Sequence, residues 1–145
     1  ASSFLFDPQS TQWTQLPAMR GPHDYLGNGI SYTDASAAVM KQVVMVAGGH
    51  DERNPLAGNE WLDGSNPAAG WRPYPLWQTA RHNANTVILP DGKLLTAGGN
   101  RGLYGYENPL LDTEMYSAQA SATDGTWLKM APHAIQAAYH STAIL

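Results

Sequence analysis

Tyr139 and His140 are adjacent in the stretch formed by residues 137–145 (AAYHSTAIL), and both side-chain types can ligate a metal. Neutral imidazole is the commonest metal ligand in proteins, and a tyrosine phenolate can also bind a metal ion. A free tyrosine titrates near pH 10, but a nearby dication favours the phenolate, which can then accept a proton. With seven Tyr and five His in 145 residues, such a dipeptide can also arise by chance. Its position in the fold must therefore decide its meaning.

Other titratable residues give weaker signals. His23 and His133 lie in Pro-flanked turns and are predicted to be surface residues. Arg81 is predicted to pack or to form a salt bridge between repeated units, and a substrate contact is the alternative. The chain has no Cys, which excludes thiolate zinc sites and a thiol nucleophile. It also has no His-x-His, His-Glu-x-x-His or Gly-x-Ser-x-Gly motif, so zinc proteases and serine hydrolases have no support.

Composition indicates a globular β-rich protein without a nucleic-acid or membrane partner. The net charge is -4, and only eight Lys and Arg are scattered along the chain, so no basic face is expected. No apolar run approaches the length that crosses a bilayer, and no segment resembles a signal peptide. The first residue is Ala, from which we expect a processed chain or an excerpt of a longer protein. Fourteen Gly, ten Pro, five Trp and seven Tyr favour short strands joined by tight turns.

Three sequence markers recur with a period near fifty-five residues. Residues 43–49 (VVMVAGG) and 93–99 (KLLTAGG) each form an apolar strand closed by two glycines. An aromatic strand follows, with Phe6, Trp61 and Tyr116 spaced 55 and 55 residues apart. A Trp then recurs at intervals of 58 and 56 residues, and internal repeats of this length indicate a solenoid or a propeller. The recurring tryptophans are Trp13, Trp71 and Trp127.

Each unit is predicted to contain four strands, as kelch-type propeller blades do. A strand precedes each Gly-Gly strand, at residues 28–32 and 85–89, and residues 141–145 open a third copy. Residues 90–92 (PDG) predict a tight hairpin turn, and the Gly pairs predict positive φ or a position without room for a Cβ. We therefore predict an all-β, kelch-type β-propeller, present as about two and a half blades of a larger, seven-bladed propeller. An unrelated β-sandwich would not explain three markers in the same order.

The expected blades are a partial one over residues 1–25, two over 26–80 and 81–136, and the start of another over 137–145. We expect no complete separate domain. Because a blade cannot bury both faces alone and four to eight blades close a propeller, the remaining blades are expected in the same protein.

Over almost its whole length, weakly over residues 1–40 and strongly from about Ala80 onward, the chain resembles the galactose oxidase and glyoxal oxidase group of copper radical oxidases. The resemblance is carried by residues 79–102 (TARHNANTVILPDGKLLTAGGNRG), then by EMYSA and AAYHSTAIL, in that order. The preceding blade fits too, with LGNGISY ahead of VVMVAGG. Tyr-His-Ser at the start of a blade's first strand is the discriminating motif, whereas Leu-Pro-Asp-Gly and Gly-Gly are shared by many kelch proteins.

The resemblance implies that Tyr139 is an axial copper ligand and His140 an equatorial one. It further implies a radical Tyr cross-linked to a Cys upstream of this chain, and a second His ligand from a C-terminal domain after the propeller. The implied reaction oxidises a primary alcohol, aldehyde or carbohydrate with O2 and yields H2O2. Tyr139 would take the substrate hydroxyl proton, and the tyrosyl radical a hydrogen atom from the same carbon. The family also implies a secreted, extracellular protein.

The resemblance places Glu52, Arg53, His82 and Asn83 around a substrate pocket, where galactose oxidase has aromatic and amide side chains. This difference argues against galactose and favours a smaller or more polar substrate. The loop that begins at His50 and contains Glu52 and Arg53 has an alternative interpretation, as a solvated surface loop without a substrate contact. For the whole chain, the alternative is a non-catalytic kelch propeller that binds a protein or a carbohydrate.

Overall fold

The computed structural model describes residues 1–23, 27–34, 40–51, 54–102, 106–121 and 123–145. These residues form an all-β structure with one short 3-10 turn, Pro67–Ala69. No helix in the described part of the chain is long and apolar enough to cross a membrane. In chain order the strands are β1 (Phe4–Asp7), β2 (Gln12–Gln15), β3 (Gly27–Asp34), β4 (Lys41–Gly48), β5 (His50–Asp51), β6 (Asn54–Pro55), β7 (Asn59–Asp63), β8 (Arg72–Tyr74), β9 (Asn85–Ile88), β10 (Leu94–Ala97), β11 (Thr113–Ser121) and β12 (Asp124–Lys129).

Two four-stranded antiparallel sheets dominate the fold. The first sheet has the order β3-β4-β7-β8, and the second has the order β9-β10-β11-β12. Strands adjacent in each sheet also follow one another in sequence, except that the short β5–β6 hairpin lies in the loop between β4 and β7. The predicted four-strand unit and the partial β-propeller are therefore confirmed.

The hairpin β1–β2 corresponds to the last two strands of a further unit. Phe6 pairs with Trp13 across it, and their ring centroids lie 4.9 Å apart. Equivalent aromatic residues of the two four-stranded sheets are buried, but Trp13 is 67% exposed. The hairpin therefore presents an apolar face that no described residue covers fully.

Aromatic side chains fill the contact between the two sheets, as the recurring Trp and Tyr predict. The ring of Tyr74, at the end of β8, lies 4.9 Å from that of Tyr116 in β11. Trp77 meets Trp127 edge to face with a centroid separation of 6.0 Å. All four side chains are almost completely buried. Such pairs contribute about 0.5–1.5 kcal/mol each beyond the apolar area they bury, so they hold the sheets together.

The Gly pairs satisfy both physical requirements predicted for them. Gly48 and Gly98, at the end of the second strand of each sheet, have φ angles of 62° and 67°. A Cβ on Gly48 would overlap the carbonyl oxygen of Arg81, and one on Gly98 would overlap that of Ala137. In each case the segment that leaves one sheet passes directly over the Gly pair of that sheet.

The predicted strand over residues 141–145 is absent. These residues have no ladder partner among the described residues, and an inner strand needs a neighbour to accept and donate its backbone hydrogen bonds. The segment before them is nevertheless held, because Gly99 N donates to the Ala137 carbonyl at 2.8 Å.

Candidate functional site

One edge of the two sheets gathers the residues that could do chemistry. In the first sheet, the start of β3 pairs with the end of β4, since Gly27 lies opposite Gly48. In the second sheet, the start of β9 pairs with the end of β10, since Asn85 lies opposite Ala97. The loops after both Gly pairs and the segments leading into β3 and β9 therefore meet at this edge, which we call the site edge. Tyr139 and His140 follow the residue that packs on Gly98, so they lie at this edge as well.

Tyr139 and His140 form a turn in which the two rings stack. Their centroids are 3.6 Å apart with an interplanar angle of 27°. His140 has a φ of 59°, and Ser141 N donates to the Ala138 carbonyl at 3.0 Å, which closes the turn. Tyr139 is 43% exposed and His140 is exposed. No described residue forms a hydrogen bond with either ring, so the phenol oxygen and both imidazole nitrogens remain open to a ligand.

These two side chains fit part of a copper site by donor type. An imidazole nitrogen and a phenol oxygen, both exposed and without a hydrogen-bond partner in the described chain, are donor types that Cu(II) accepts. The described residues contain no group of three or more His, Asp or Glu that could hold a metal ion, and the chain has no Cys.

Backbone and side-chain hydrogen bonds hold the pair on both sides. Before it, the Ala137 carbonyl accepts from Gly99 N. After it, the Ser141 hydroxyl accepts from the Asn85 side-chain amide at 2.8 Å. The same relationship occurs one unit earlier, where the Asn28 amide donates to the Ala84 carbonyl at 2.8 Å. The Tyr-His turn thus occupies a position that the repeat itself defines.

His82 and Asn83, predicted to line a substrate pocket, form a hydrogen-bonded network at the same edge. His82 Nε2 donates to the Gly102 carbonyl at 2.6 Å, and His82 Nδ1 accepts from the Asn83 amide at 3.1 Å. The Asn83 amide also donates to Asn100 Oδ1 at 2.8 Å. His82 is buried, and this burial lowers the pKa of His82 below its ordinary value. Both ring nitrogens are used, so a substrate contact by His82 would require the network to open.

The loop after the first Gly pair contributes to the same edge. His50 packs edge to face against His82 with a centroid separation of 5.5 Å. It is only partly buried, and it starts the β5–β6 hairpin. Glu52 and Arg53, the other two predicted pocket residues, lie outside the described residues. Their role stays a prediction.

Arg81 forms a salt bridge, as predicted, but its partner Glu114 belongs to the same predicted unit (81–136), and the position is completely buried. Its guanidinium pairs with Glu114 and donates to the carbonyl oxygens of Gly98 and Asp112, each at 2.9 Å. It also lies 5.6 Å from the Trp77 ring centroid, within cation–π range. Burial lowers the pKa of Arg81, and the adjacent Glu114 carboxylate opposes that shift. These contacts make Arg81 a structural residue.

The prediction that His23 is a surface residue was wrong. Its side chain is 2% exposed, because the ring turns inward to the Gly48 carbonyl and to Glu60. His133 is also partly buried, with Nδ1 against the Ile135 carbonyl. The Pro-flanked surroundings therefore did not indicate the direction of either side chain.

The sequence did not predict the structural role of Glu60 and Glu114, which accept backbone N–H groups of the segments leading into the two sheets. Each stands directly before an apolar residue of the third strand, in NEW and TEM, 54 residues apart. A recurring acidic residue at the start of a buried strand was the available signal. An acidic residue in a strand is usually solvated, and that expectation obscured it.

No protein-family profile matches the chain, and no curated protein matches it. Among solved structures, the chain is similar to the copper complex of a fungal alcohol oxidase. That enzyme is described as having catalytic diversity among the AA5 family. The TM-score is 0.55 at 16% sequence identity, over 93% of this chain and 39% of that one. The chain thus spans well under half the length of that protein. At this identity the likeness shows a shared fold.

Proposed function

We propose that this chain is part of the propeller of a secreted copper-dependent oxidase that converts a primary alcohol or an aldehyde with O2, giving H2O2. The observation that carries the proposal is the exposed Tyr139–His140 turn at the site edge, with its donor atoms unused. The copper complex of the similar fungal alcohol oxidase supports copper as the metal. The remaining ligands and a Cys-Tyr radical cofactor would come from other parts of the intact protein.

In this proposal His140 provides an imidazole nitrogen to the metal and Tyr139 provides a phenolate oxygen. Bound copper would supply one oxidising equivalent and polarise the substrate oxygen. Tyr139 would accept the proton of the substrate hydroxyl, for which its exposed position leaves room. The overall reaction moves two electrons and two protons from the alcohol to O2, so one aldehyde and one H2O2 form per turnover.

The substrate would lie along the site edge beside the network of His82 and Asn83. Asn83 is only partly buried and can reach a polar substrate, whereas the buried His82 fixes the orientation of the Asn83 amide. We propose Glu52 and Arg53 as further polar contacts. Such lining suits a small polar alcohol or aldehyde better than an apolar one.

The test is to measure the copper content and H2O2 release of the intact protein, with glyoxal, methylglyoxal and simple primary alcohols as substrates. Tyr139→Phe and His140→Ala should abolish H2O2 release, and His140→Ala should also lower the copper content. Lys93→Met is the control variant, because Lys93 lies in the hairpin turn between β9 and β10, at the end of those strands opposite to the site edge. Full turnover in Tyr139→Phe would overturn the proposal and leave a non-catalytic binding propeller as the alternative.

A further inference from the structure

The segment leading into each four-stranded sheet is held by a glutamate of that sheet's third strand. Glu60 in β7 accepts the backbone N–H of Arg20, at 2.9 Å, and that of Gly21. Glu114 in β11 accepts the corresponding pair, from Gln78 N at 2.7 Å and Thr79 N at 3.0 Å. The two arrangements repeat each other and form a clamp between a connecting segment and the sheet it enters.

A cationic side chain completes the clamp in the second sheet. Arg81 lies between two acceptors, the Gly98 carbonyl at the end of β10 and the Glu114 carboxylate in β11. A guanidinium has several N–H donors and stays charged at any physiological pH, so this clamp remains closed.

His23 takes the place of Arg81 in the first sheet. Its Nδ1 lies 2.7 Å from the Gly48 carbonyl, at the end of β4, and its Nε2 lies 3.3 Å from Glu60 Oε1, in β7. The two acceptors thus occupy the same positions in their sheet as the Gly98 carbonyl and the Glu114 carboxylate do in the second sheet. Only the donor differs, an imidazole in place of a guanidinium.

An imidazole ring can donate to both acceptors in only one of its protonation states, the imidazolium. A carbonyl oxygen and a carboxylate oxygen both accept hydrogen bonds and cannot donate them. The neutral ring has a single N–H, so contact with the Gly48 carbonyl would turn the lone pair of Nε2 toward the Glu60 carboxylate. The imidazolium has an N–H on each nitrogen and also carries the charge that the carboxylate favours.

We propose that His23 and Glu60 form a proton-linked clamp, which holds the segment over residues 20–23 on the first sheet when His23 is protonated and loosens when it is not. Among the described residues, the charged groups around the ring are Glu60, from β7, and Arg20, on the same segment. Asp24, the next residue, lies outside the described residues. A cavity of about 260 Å³ bordered by Arg20, His23, Leu56 and Glu60 lies beside the clamp and leaves room for water to enter as it opens.

The direction of the effect follows from linkage. With the clamp closed, each ring nitrogen of His23 faces an acceptor, and the opened segment loses both contacts. The imidazolium offers an N–H to both acceptors, so it favours the closed clamp, and raising the pH removes one of these two N–H groups. The Arg81 clamp, one unit later in the same chain, should not respond to this change in pH.

Amide hydrogen exchange of the intact protein tests the clamp, because the Arg20 and Gly21 amides bond to Glu60 directly. After correction for the intrinsic exchange rate, their protection should fall on the order of tenfold between pH 5.5 and 8. The Gln78 and Thr79 amides serve as the internal control and should stay constant.

His23→Arg converts the first clamp into the chemistry of the second, and the adjacent cavity has room for the longer side chain. In this variant the Arg20 and Gly21 amides should be strongly protected from hydrogen exchange, and this protection should not depend on pH. His23→Gln keeps a donor for one acceptor but carries no charge. The Arg20 and Gly21 amides of this variant should therefore be weakly protected from exchange, again independently of pH. Wild-type protection that does not change with pH, or a His23→Arg variant that keeps the wild-type pH dependence, would overturn the proposal.

Discussion

The guanidinium of Arg81 and the carboxylate of Glu114 form an ion pair in which neither side chain has any solvent exposure. The pair joins the segment between the two sheets to the third strand of the second sheet. At the same time, the backbone carbonyl of Arg81 packs over Gly48 of the first sheet. One residue therefore connects both sheets, with its main chain on one and its side chain on the other.

Arg81→Met should strongly destabilise the protein. It leaves the Glu114 carboxylate buried without its counter-charge, and breaking a buried pair in this way costs about 3–5 kcal/mol. Urea unfolding of the intact protein, followed by Trp fluorescence, measures the change. Arg81→Met with Glu114→Gln should recover only part of it, because Glu114 also accepts the Gln78 and Thr79 amides.

Lys93→Met is the matched control, since it removes the cation of a solvent-exposed pair with Asp91. Exposed pairs contribute little, so no measurable change in unfolding is expected. If Arg81→Met were as mild as Lys93→Met, the buried pair would not join the sheets as described.

His82 should make the protein less stable as the pH falls. Burial lowers the pKa of His82 in the folded state, so below its ordinary value the unfolded chain binds more protons than the folded one. The contribution is fully present above about pH 6.5 and is lost as the pH decreases below it. The difference in unfolding free energy between wild type and His82→Gln, measured from pH 5 to 8, should grow with pH. A difference that shrinks with rising pH would contradict the assignment of a buried, neutral ring.

The repeating elements of this fold were predictable because each leaves a local pattern. Residues 43–49 and 93–99 identify the second strands, since an apolar run with a Gly pair has a physical reason at that position. The Pro-Asp-Gly turn was also correct, and Gly92 has a φ of 82°. These features depend on residues close together in the chain, which the sequence presents side by side.

The partners of the long-range polar contacts were not predictable, because these contacts join positions far apart in sequence. His23 meets a carboxylate 37 residues away, and nothing in its Pro-flanked surroundings indicates this. The strand predicted over residues 141–145 needed a neighbouring strand that no described residue provides. The Tyr139–His140 dipeptide was visible as a motif, but its stacked, exposed geometry depends on Gly98 and Asn85, in other elements.

Gly98→Ala should disturb the Tyr139–His140 turn. The new Cβ would overlap the Ala137 carbonyl at a residue with positive φ, so the segment before Tyr139 must move. We expect a loss of stability of about 1–2 kcal/mol from the left-handed backbone alone, with a further loss from the contact. Copper binding by the intact protein, measured by titration, should weaken in parallel.

Two glycines separate these effects. Gly92→Ala has the same positive φ but open space around the Cβ, so it should lower stability and leave copper binding unchanged. Gly29→Ala also has open space and no positive φ, so neither quantity should change. Equal copper affinity in Gly98→Ala and Gly92→Ala would show that Ala137 does not position the turn.

Asn85→Ala should weaken the proposed copper site without unfolding the sheet. The Asn85 amide donates to the Ser141 hydroxyl directly after His140, so its loss frees one side of the turn. If Tyr139 and His140 ligate copper, the variant should bind copper on the order of tenfold more weakly, the effect expected when a group that orients a ligand is removed. Asn28→Ala removes the equivalent bond one unit earlier, to Ala84, and should leave copper affinity as it is. Isothermal titration with Cu(II), together with the electron paramagnetic resonance spectrum of the bound ion, distinguishes the two variants. Identical affinities and spectra would mean that the Asn85–Ser141 bond stabilises the contact between units and does not orient the Tyr139–His140 pair.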